Sequence, residues 1–479
     1  MRTKHNQTSS LPAPPSRPGN FFLGVLPEFR RYGPLKVFTR AAREQGDVVR
    51  LRFGPNAFYL VSHPDLIKYV LQTNNRNYLR DSPANSIVMM ISGLNLFSSD
   101  GDYWLAQRRL MQPAFHRKHI TYFGQIMSDA TLKMLSKWEV AALNGQILDM
   151  HDEMMRLTME VVGRSLFSVD LSEDTNVLGQ FFSESIDYLN YRLINPFAPP
   201  LFIPTRRNRS LKKSIKVMNK MMQEMINERR QSGEEKHDLM ALLMAARYEE
   251  TGEGMTDEQL RNELSTMIGA GHETTANTLT WTSYLLSEHP DVEERVLAEL
   301  ESVLGDRLPT TSDLRHLTYL EKVIQESLRL YPPVWSLMAR QAIAEDELGG
   351  YRIPPKAMLS MLPYIVHRDP RWWDDPDTFD PERFTPERSE GRHKFAYIPF
   401  GNGPRKCIGQ TFALTEALLI LATILPRYKL RLKANYKVRA YPIFSLRVRD
   451  GLPMMVTSSA RFLSSQSRLS AMGATLLSP

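Results

Sequence analysis

The only cysteine in the chain, Cys407, carries the clearest chemical signal in the sequence. It lies in the stretch Phe-Gly-Asn-Gly-Pro-Arg-Lys-Cys-Ile-Gly at residues 400–409, whose three glycines let backbone N–H groups turn towards the sulfur. Residues 411–419 predict a helix, so the sulfur would lie near a helix N-terminus, whose partial positive charge favours an anion. A thiolate in such a place can bind iron, although a lone cysteine in ordinary surroundings is more often a small buried hydrophobe. No internal disulfide is possible.

A second signal is a polar patch in the middle of a long predicted helix. Thr256 begins a capping box and Pro290 ends the helical run, which at roughly 1.5 Å per residue would be about 50 Å long. Its centre, Ala-Gly-His-Glu-Thr-Thr at residues 270–275, contains a glycine and an adjacent acid and hydroxyl that compete for backbone hydrogen bonds. Apolar neighbours, among them Met267 and Trp281, indicate burial rather than a solvent-facing patch. A weak, polar centre in a buried helix indicates function.

The cysteine stretch resembles the haem-binding loop of the cytochrome P-450 superfamily. Phe400, Gly403, Arg405, Cys407 and Gly409 fill every fixed position of that loop. The resemblance implies that Cys407 is the axial thiolate ligand of iron, that Phe400 shields it and that Arg405 meets a haem propionate. It also implies one non-covalent haem b, O2 as cosubstrate, and a mainly α fold with a small β-rich region, the cytochrome P-450 fold.

The polar patch resembles the family's oxygen-activation motif. In that motif a threonine, here Thr274, stabilises iron-bound dioxygen and its ordered water, and the neighbouring acid, here Glu273, helps to relay protons. Reductive cleavage of O2 consumes protons, so such a relay is a chemical requirement. His272 is expected to be outward-facing or structural rather than a ligand.

Two further motifs resemble the family's propionate-binding sites. Trp104 and Arg108 lie one turn apart on a predicted helix, a spacing that elsewhere usually means a packed ring beside a solvated cation. In the family a Trp and an Arg at this spacing hydrogen-bond the propionates, and an Arg fork suits a carboxylate. Arg340 matches the family's strand arginine, which binds a propionate as well.

A third set of residues resembles a structural network of the family. Glu326 and Arg329 are three residues apart on a predicted helix, where such pairs are usually surface ion pairs of small effect. Together with Arg383 in the later Pro-Glu-Arg-Phe sequence, they resemble the Glu-Arg-Arg network that fixes the segment leading to the cysteine loop.

Hydrophobic periodicity predicts several other elements. Residues 34–45 should form a helix, and residues 48–61 a β-hairpin. Residues 76–100 are expected to be rich in loops, and residues 127–169 to be helical throughout. Residues 189–201, rich in aromatic residues and proline, resemble the mobile lid that covers the pocket in relatives.

By the family's geometry, apolar segments should line a distal pocket that suits a hydrophobic substrate. The sequence is similar to that of bacterial fatty-acid hydroxylases, but those that anchor the carboxylate use an arginine beside the first hairpin turn. Here Asn56, Ala57 and Phe58 occupy that turn, which leaves only Tyr59 as a donor. Terpenes, fatty acids and polyketides therefore stay open as substrates. The expected pocket residues are Met90, Phe97, Met267, Ala270, Trp335, Leu337, Ile443 and Phe444.

Composition and charge limit the possible partners. The chain has 479 residues, of which 42% are apolar, and a net charge of +7 from 60 basic and 53 acidic residues. This mild excess favours an acidic protein partner over nucleic acid. Since no flavin or iron–sulfur region follows the haem domain, electrons are expected from a separate ferredoxin or flavodoxin with its reductase. The basic residues expected near the cysteine are Arg109, Arg117, Lys118, Arg405 and Lys406.

Three regions are predicted along the chain. Residues 1–20 form a proline-rich arm, residues 21–457 the haem domain, and residues 458–479 a disordered tail. We see no signal peptide and no apolar segment of the length needed to cross a bilayer. The sequence thus favours a soluble, cytoplasmic protein of bacterial type.

The most favoured function is that of a monooxygenase that inserts one atom of O2 into a hydrophobic small molecule. A relative that rearranges or consumes peroxides is disfavoured, because such enzymes usually lack the Glu–Thr pair. A haem-binding sensor without turnover would leave that pair unexplained.

Overall fold

The structure is a computed structural model that describes residues 11–54, 56–171, 175–195 and 198–459. Helices dominate it, and small β-sheets lie beside them, so the predicted mainly α fold with a small β-rich region is confirmed. The helices are α1 Leu26–Tyr32, α2 Pro34–Gln45, α3 Pro64–Lys68, α4 Pro83–Ser92, α5 Gly101–Met111, α6 Arg117–Leu143, α7 Met150–Phe167, α8 Thr175–Ile194, α9 Arg206–Ser232, α10 Leu239–Ala245, α11 Asp257–Glu288, α12 Pro290–Leu304, α13 Thr318–Leu330, α14 Pro363–Val366, α15 Pro386–Ser389 and α16 Gln410–Ile424. The strands are β1 Val48–Phe53, β2 Asn56–Val61, β3 Tyr78–Leu79, β4 Ile147–Asp149, β5 Arg340–Ala342, β6 Asp346–Leu348, β7 Tyr351–Ile353, β8 Met358–Met361, β9 Tyr428–Leu432, β10 Ala440–Pro442, β11 Leu446–Val448 and β12 Pro453–Ser458.

The largest sheet has the strand order β1-β2-β8-β5-β3. Its first two strands form the predicted antiparallel hairpin, with Val48 opposite Val61. β2 then pairs with β8 in parallel, which brings the early hairpin beside a segment some 300 residues later. This sheet is the framework on which β5 presents Arg340.

Two expectations about local structure are wrong. Residues 76–100 contain a helix, α4, because Ser82 caps its N-terminus through the amide of Asn85 and Pro83 occupies its first position. Residues 127–169 are not helical throughout, because α6 ends at Leu143 and β4 pairs with β12 before α7 begins. Both errors arise where a cap or a distant strand, rather than periodicity, decides the structure.

The core of the molecule is built around α11. Its N-terminus has the predicted capping box, in which Thr256 and Gln259 each bond the other's backbone N–H. Leu264, Ile268, Leu279 and other side chains of α11 are fully buried in one large apolar cluster that also contains residues of α6, α7, α13 and α16. α11 and α16 are therefore fixed relative to each other by shared packing.

The described half of the proline-rich arm is attached to the first strand. The backbone N–H of Arg17 donates to the carbonyl of Arg50, and its guanidinium pairs with Glu28 (3.0 Å) and Glu44 (2.8 Å). The predicted disordered tail falls almost entirely on residues 460–479, which lie outside the described residues. Among the residues that the structure describes, no helix combines the length and the apolar character required to span a bilayer.

Candidate active site

The loop that carries Cys407 is a tight turn that ends where α16 begins at Gln410. The N–H of Cys407 donates to the carbonyl of Phe400 (3.0 Å). At Gly403 φ is +73°, and a Cβ there would lie 2.2 Å from the carbonyl oxygen of Leu71, so only glycine fits this close approach. The glycine thus holds the loop in place and leaves the sulfur at the start of the helix.

The side chain of Cys407 faces a space inside the protein. It is exposed by accessible area, yet the surrounding protein atoms desolvate the thiol and raise its pKa. The N–H of Gly409 and the positive charges of Arg108 and Lys406 oppose that rise. A side chain that has accessible area and yet is desolvated borders an interior space rather than bulk water. The sulfur can therefore contact a group bound in that space.

The middle of α11 also faces a space inside the protein. Ala270 is exposed, although the helix runs through the core and its neighbours Ile268 and His272 are buried. The hydroxyl of Thr274 donates to the carbonyl of Ala270 (2.6 Å) and is half-buried. An exposed alanine in a core helix lines an interior space, and the predicted oxygen-activation residues lie next to it.

Three guanidinium groups cluster around a single carboxylate near the cysteine loop. Arg405 pairs with Asp100 and donates to the carbonyl of Ser99 (2.9 Å), while Arg340 donates to a carbonyl of its own strand segment and is 6% exposed. Arg80 donates to a backbone carbonyl, and its Nε has no hydrogen-bond partner among the residues that the structure describes.

Burial lowers the pKa of all three arginines, that of Arg340 to about 10. Repulsion by neighbouring guanidinium groups adds to this effect at Arg80 and Arg340, whereas Asp100 opposes it at Arg405. Arg80 is accessible by area although it is strongly desolvated, so it also faces the interior space. A cluster with more cations than anions in a desolvated place calls for an anionic occupant, and the planar guanidinium suits a carboxylate.

Trp104 and Arg108 lie on α5, whose N-terminus is capped by the same Asp100. The ring of Trp104 lies under the guanidinium of Arg405 at 4.2 Å. Arg108 donates to the carbonyl of Lys406 (3.0 Å) in the cysteine loop. α5 therefore connects the arginine cluster with the cysteine loop: Trp104 contacts Arg405 of the cluster, and Arg108 contacts the loop. Both are predicted to bind propionates.

Glu273 is engaged with the C-terminal strands. Its carboxylate accepts from the hydroxyl of Ser445 (2.5 Å) and pairs with Arg447 (3.2 Å), while Asn277 also donates to Ser445 (3.1 Å). The partly exposed Arg447 thus links the acid of the polar patch towards the surface. No sequence signal pointed to this pairing, because the partners are more than 170 residues apart.

His272 is buried, and its Nε2 lies 3.1 Å from the carbonyl oxygen of Met155 on α7. Burial lowers its pKa to about 4, so the ring is neutral at ordinary pH. Of the two positions expected for this residue, outward-facing or structural, the structure shows the second.

The structure brings Glu326, Arg329 and Arg383 together as the sequence predicted. Arg329 forks onto the carboxylate of Glu326 (2.6 and 2.7 Å), and Arg383 lies 3.3 Å from the same group. Arg329 also donates to the carbonyls of His367 and of residues 376 and 378. These bonds join α13 to the segment that leads to the cysteine loop.

The expected pocket residues fall into separate groups. The rings of Phe97 and Phe444 meet with centroids 6.3 Å apart, and Leu337 lies 3.9 Å from the position of a Cβ at Gly401. The ring of Trp335 lies near that of Phe38 on α2, with the two centroids 6.5 Å apart. Its indole N–H donates to the carbonyl of Ile443 (2.8 Å), while Met90 and Met267 pack on apolar clusters beside α4 and α11.

Arg80 and Asp100 were not among the residues predicted from the sequence. Neither belongs to a recognisable motif, and their importance follows only from their three-dimensional proximity to Arg340 and Arg405. The sole local signal is an arginine directly after the apolar strand β3.

The family model for cytochrome P-450 matches residues 14–445 of the chain. The chain belongs to the cytochrome P-450 family. It is 36% identical to cyclooctatin synthase of Streptomyces melanosporofaciens over 85% of its own length and 88% of the relative. It is 38% identical to cyclooctat-9-en-7-ol 5-monooxygenase of the same organism, over 82% of the chain and 84% of the relative. The crystal structure of the cytochrome P450DA heme domain superposes with a TM-score of 0.86 at 29% identity, covering 94% of this chain and 99% of that one.

Membership makes the protein a haem-thiolate monooxygenase that uses O2, takes electrons from a redox partner and acts on a hydrophobic substrate. The residues present fit a haem. The accessible sulfur of Cys407 and the exposed Ala270 both face interior space, and the arginine cluster lacks anions that two propionates would supply. Within the described part of the chain the Nε of Arg80 is a donor without an acceptor, as expected if a carboxylate belongs beside it.

Proposed function

We propose that this cytochrome P-450 hydroxylates a terpene, with one haem b bound by Cys407 and with electrons from a ferredoxin or flavodoxin and its reductase. The names of the two Streptomyces relatives, cyclooctatin synthase and cyclooctat-9-en-7-ol 5-monooxygenase, support a terpene. The observation that carries the haem assignment is the coincidence of an accessible, desolvated cysteine with an arginine cluster short of anions.

The hairpin turn supports an uncharged substrate. Phe58 packs edge-on against Phe53 with ring centroids 5.3 Å apart. Tyr59, the one donor left by the sequence for a fatty-acid carboxylate, is 7% exposed and belongs to the apolar cluster of the largest sheet. We therefore place terpenes before fatty acids and polyketides.

When bound, haem supplies the reductive activation of O2 and the insertion of one oxygen atom into a C–H bond. In our proposal Cys407 binds the iron as a thiolate, and Phe400, whose carbonyl accepts the N–H of Cys407, shields it. The network of Glu326, Arg329 and Arg383 holds the approach to this loop. The residues that would hold the propionates are Arg80, Trp104, Arg108, Arg340 and Arg405.

We assign proton delivery to Glu273 and Thr274. The hydroxyl of Thr274 lies at the accessible midpoint of α11, where it donates to the carbonyl of Ala270. The pairing of Glu273 with Arg447, which is 27% exposed in its side chain, supports a polar path from the surface to that midpoint.

The electron donor would dock on the face of the cysteine loop. Arg109, Arg117, Lys118 and Lys406, the basic residues expected near this loop, are exposed and suit an acidic surface. Arg405 does not contribute to this face, because it turns inwards to Asp100. A haem domain at residues 21–457 and a cytoplasmic location remain part of the proposal.

A titration of the ferric protein tests the substrate class. Cyclooctat-9-en-7-ol should shift the haem spectrum from low to high spin, while palmitic acid should not, and turnover with a ferredoxin and its reductase should yield a hydroxylated terpene. A shift with palmitic acid alone would contradict the terpene assignment. Consumption of peroxide without use of O2, or no electron uptake at all, would instead support the peroxide-using or sensor alternatives.

A further inference from the structure

Glu263, on the first half of α11, is a buried carboxyl group that the chemistry above does not use. It is 1% exposed, and both of its oxygens accept from the backbone N–H of Leu96 (2.9 and 3.0 Å). Burial raises its pKa to about 8, a rise that the N–H of Leu96 partly offsets. The negative charge of its ionised form contributes to the raised pKa of Tyr248. Near neutral pH the carboxyl group is therefore largely protonated.

The preceding residue of α11 contacts the same loop. The amide of Asn262 donates to the carbonyl of Leu94 (3.4 Å). At Gly93 φ is +73°, and a Cβ there would lie 2.3 Å from Nδ2 of Asn262, so glycine permits the loop to lie directly on the helix. Asn262 and Glu263 together fix a carbonyl and an amide of residues 93–98.

Residues 93–98 are also rigid in themselves. Asn95, which is fully buried, accepts from the amides of Phe97 (2.9 Å) and Ser98 (3.0 Å) and donates to the carbonyl of Gly93 (3.0 Å). Ser98 donates to the same carbonyl (2.9 Å). Because the loop is held together internally, its attachment to α11 determines the position of the whole loop.

Phe97 is the residue of this loop that is expected to line the substrate pocket. The centroid of its ring lies 6.3 Å from that of Phe444. The guanidinium of Arg80 lies over the ring of Phe97, 5.3 Å from its centroid. Phe444 precedes Ser445, which α11 holds through Glu273 and Asn277. α11 therefore fixes the position of both rings. Residues 262 and 263 hold the loop that carries Phe97, and residues 273 and 277 hold Ser445 next to Phe444.

We propose that Glu263 and Asn262 are positioning residues for the substrate: they fix residues 93–98 so that Phe97 stands against Phe444 and determines which carbon of a terpene faces the haem. This inference rests on the proposed function. It concerns the selection of the oxidised carbon, which a purely structural role for the two residues would leave unchanged.

The test compares haem-loaded Glu263→Ala, Asn262→Ala and Glu263→Gln with the parent. Glu258→Ala is the matched control, because Glu258 is an exposed acid in the first turn of the same helix. Hydrogen exchange measures the amides of residues 94–98, and the ratio of oxidised positions in cyclooctat-9-en-7-ol measures substrate orientation.

In Glu263→Ala the Leu96 amide should exchange about tenfold faster or more, and the spectral dissociation constant for cyclooctat-9-en-7-ol should rise by roughly the same factor, with a broader product ratio. Asn262→Ala should change the same quantities less. Glu263→Gln, which resembles the protonated acid, should retain the parent's product ratio, and Glu258→Ala should match the parent throughout.

Unchanged exchange in Glu263→Ala would overturn the proposal, as would faster exchange with the parent's product ratio and dissociation constant. If the parent forms no product from this alcohol, the proposed substrate class fails and the inference fails with it. That result is distinguishable, because it appears in the parent before any variant is compared.

Discussion

Arg80 offers a test in which the bound and the haem-free protein should respond in opposite directions. In the haem-free state its guanidinium is desolvated and repelled by Arg340 and Arg405, and no described residue accepts a hydrogen bond from its Nε. The change Arg80→Met removes that charge while keeping an unbranched side chain. Because a desolvated cation that two neighbouring cations repel is unfavourable, the haem-free variant should unfold at the same or a higher temperature than the haem-free parent.

The haem-loaded protein should lose affinity instead. A charge-assisted hydrogen bond contributes about 1.5–3 kcal/mol, so loss of the bond between Arg80 and a propionate should raise the haem dissociation constant roughly 10- to 150-fold. Transfer of haem to excess apomyoglobin measures this change, and thermal unfolding of both forms measures the stability. Arg76→Met is the matched control, since Arg76 is exposed a few residues earlier.

If Arg80→Met retains haem as firmly as the parent, Arg80 does not hold a propionate. The role given to Arg80 is also refuted if the substitution lowers the unfolding temperature of the haem-free protein as much as that of the loaded protein, because Arg80 would then be an ordinary structural residue.

Three further predictions concern other groups. Glu326→Gln leaves Arg329 and Arg383 without their buried carboxylate and should lower the free energy of unfolding by about 3–5 kcal/mol in denaturant titrations, where a loss below 1 kcal/mol would contradict it. Thr274→Ala should uncouple electron consumption from product formation, whereas fully coupled turnover would exclude the role given to its hydroxyl. The pKa of Glu263 is raised from 4.5 to about 8 in the folded protein, so unfolding releases a proton between these values. Stability from this group is greatest below pH 4.5 and declines as pH rises to about 8, by up to about 1.4 kcal/mol per unit; Glu263→Gln should remove that slope, and an unchanged slope would show that Glu263 is not its source.

Local signals were sufficient for much of the fold. α2 begins and ends where the sequence predicted, because Pro34 suits a first helical turn and Gly46 a helix end. The capping box at Thr256 likewise located the start of α11. Where the decisive contact is distant the sequence was insufficient: β4 exists only because β12 pairs with it.

The same distinction holds for the site. Residues in contiguous motifs, such as Cys407 with its glycines and the Glu273–Thr274 pair, could be singled out from the sequence because those motifs resemble the family's. The residues that surround them could not be predicted from the sequence. Arg80 comes close to Arg405, and Arg447 pairs with Glu273, only through tertiary folding. Trp335, in an expected pocket segment, has its ring near that of Phe38, a contact that no local pattern indicates.

The most direct test of the central claim is the absorption spectrum of the reduced, carbon monoxide-bound protein, measured for the parent and for Cys407→Ser. Since Cys407 is the only cysteine, no other side chain can provide a thiolate. We predict the spectrum of thiolate-ligated haem for the parent and its complete loss in Cys407→Ser. A parent without that spectrum, or a variant that keeps it, would contradict the assignment of Cys407 as the iron ligand.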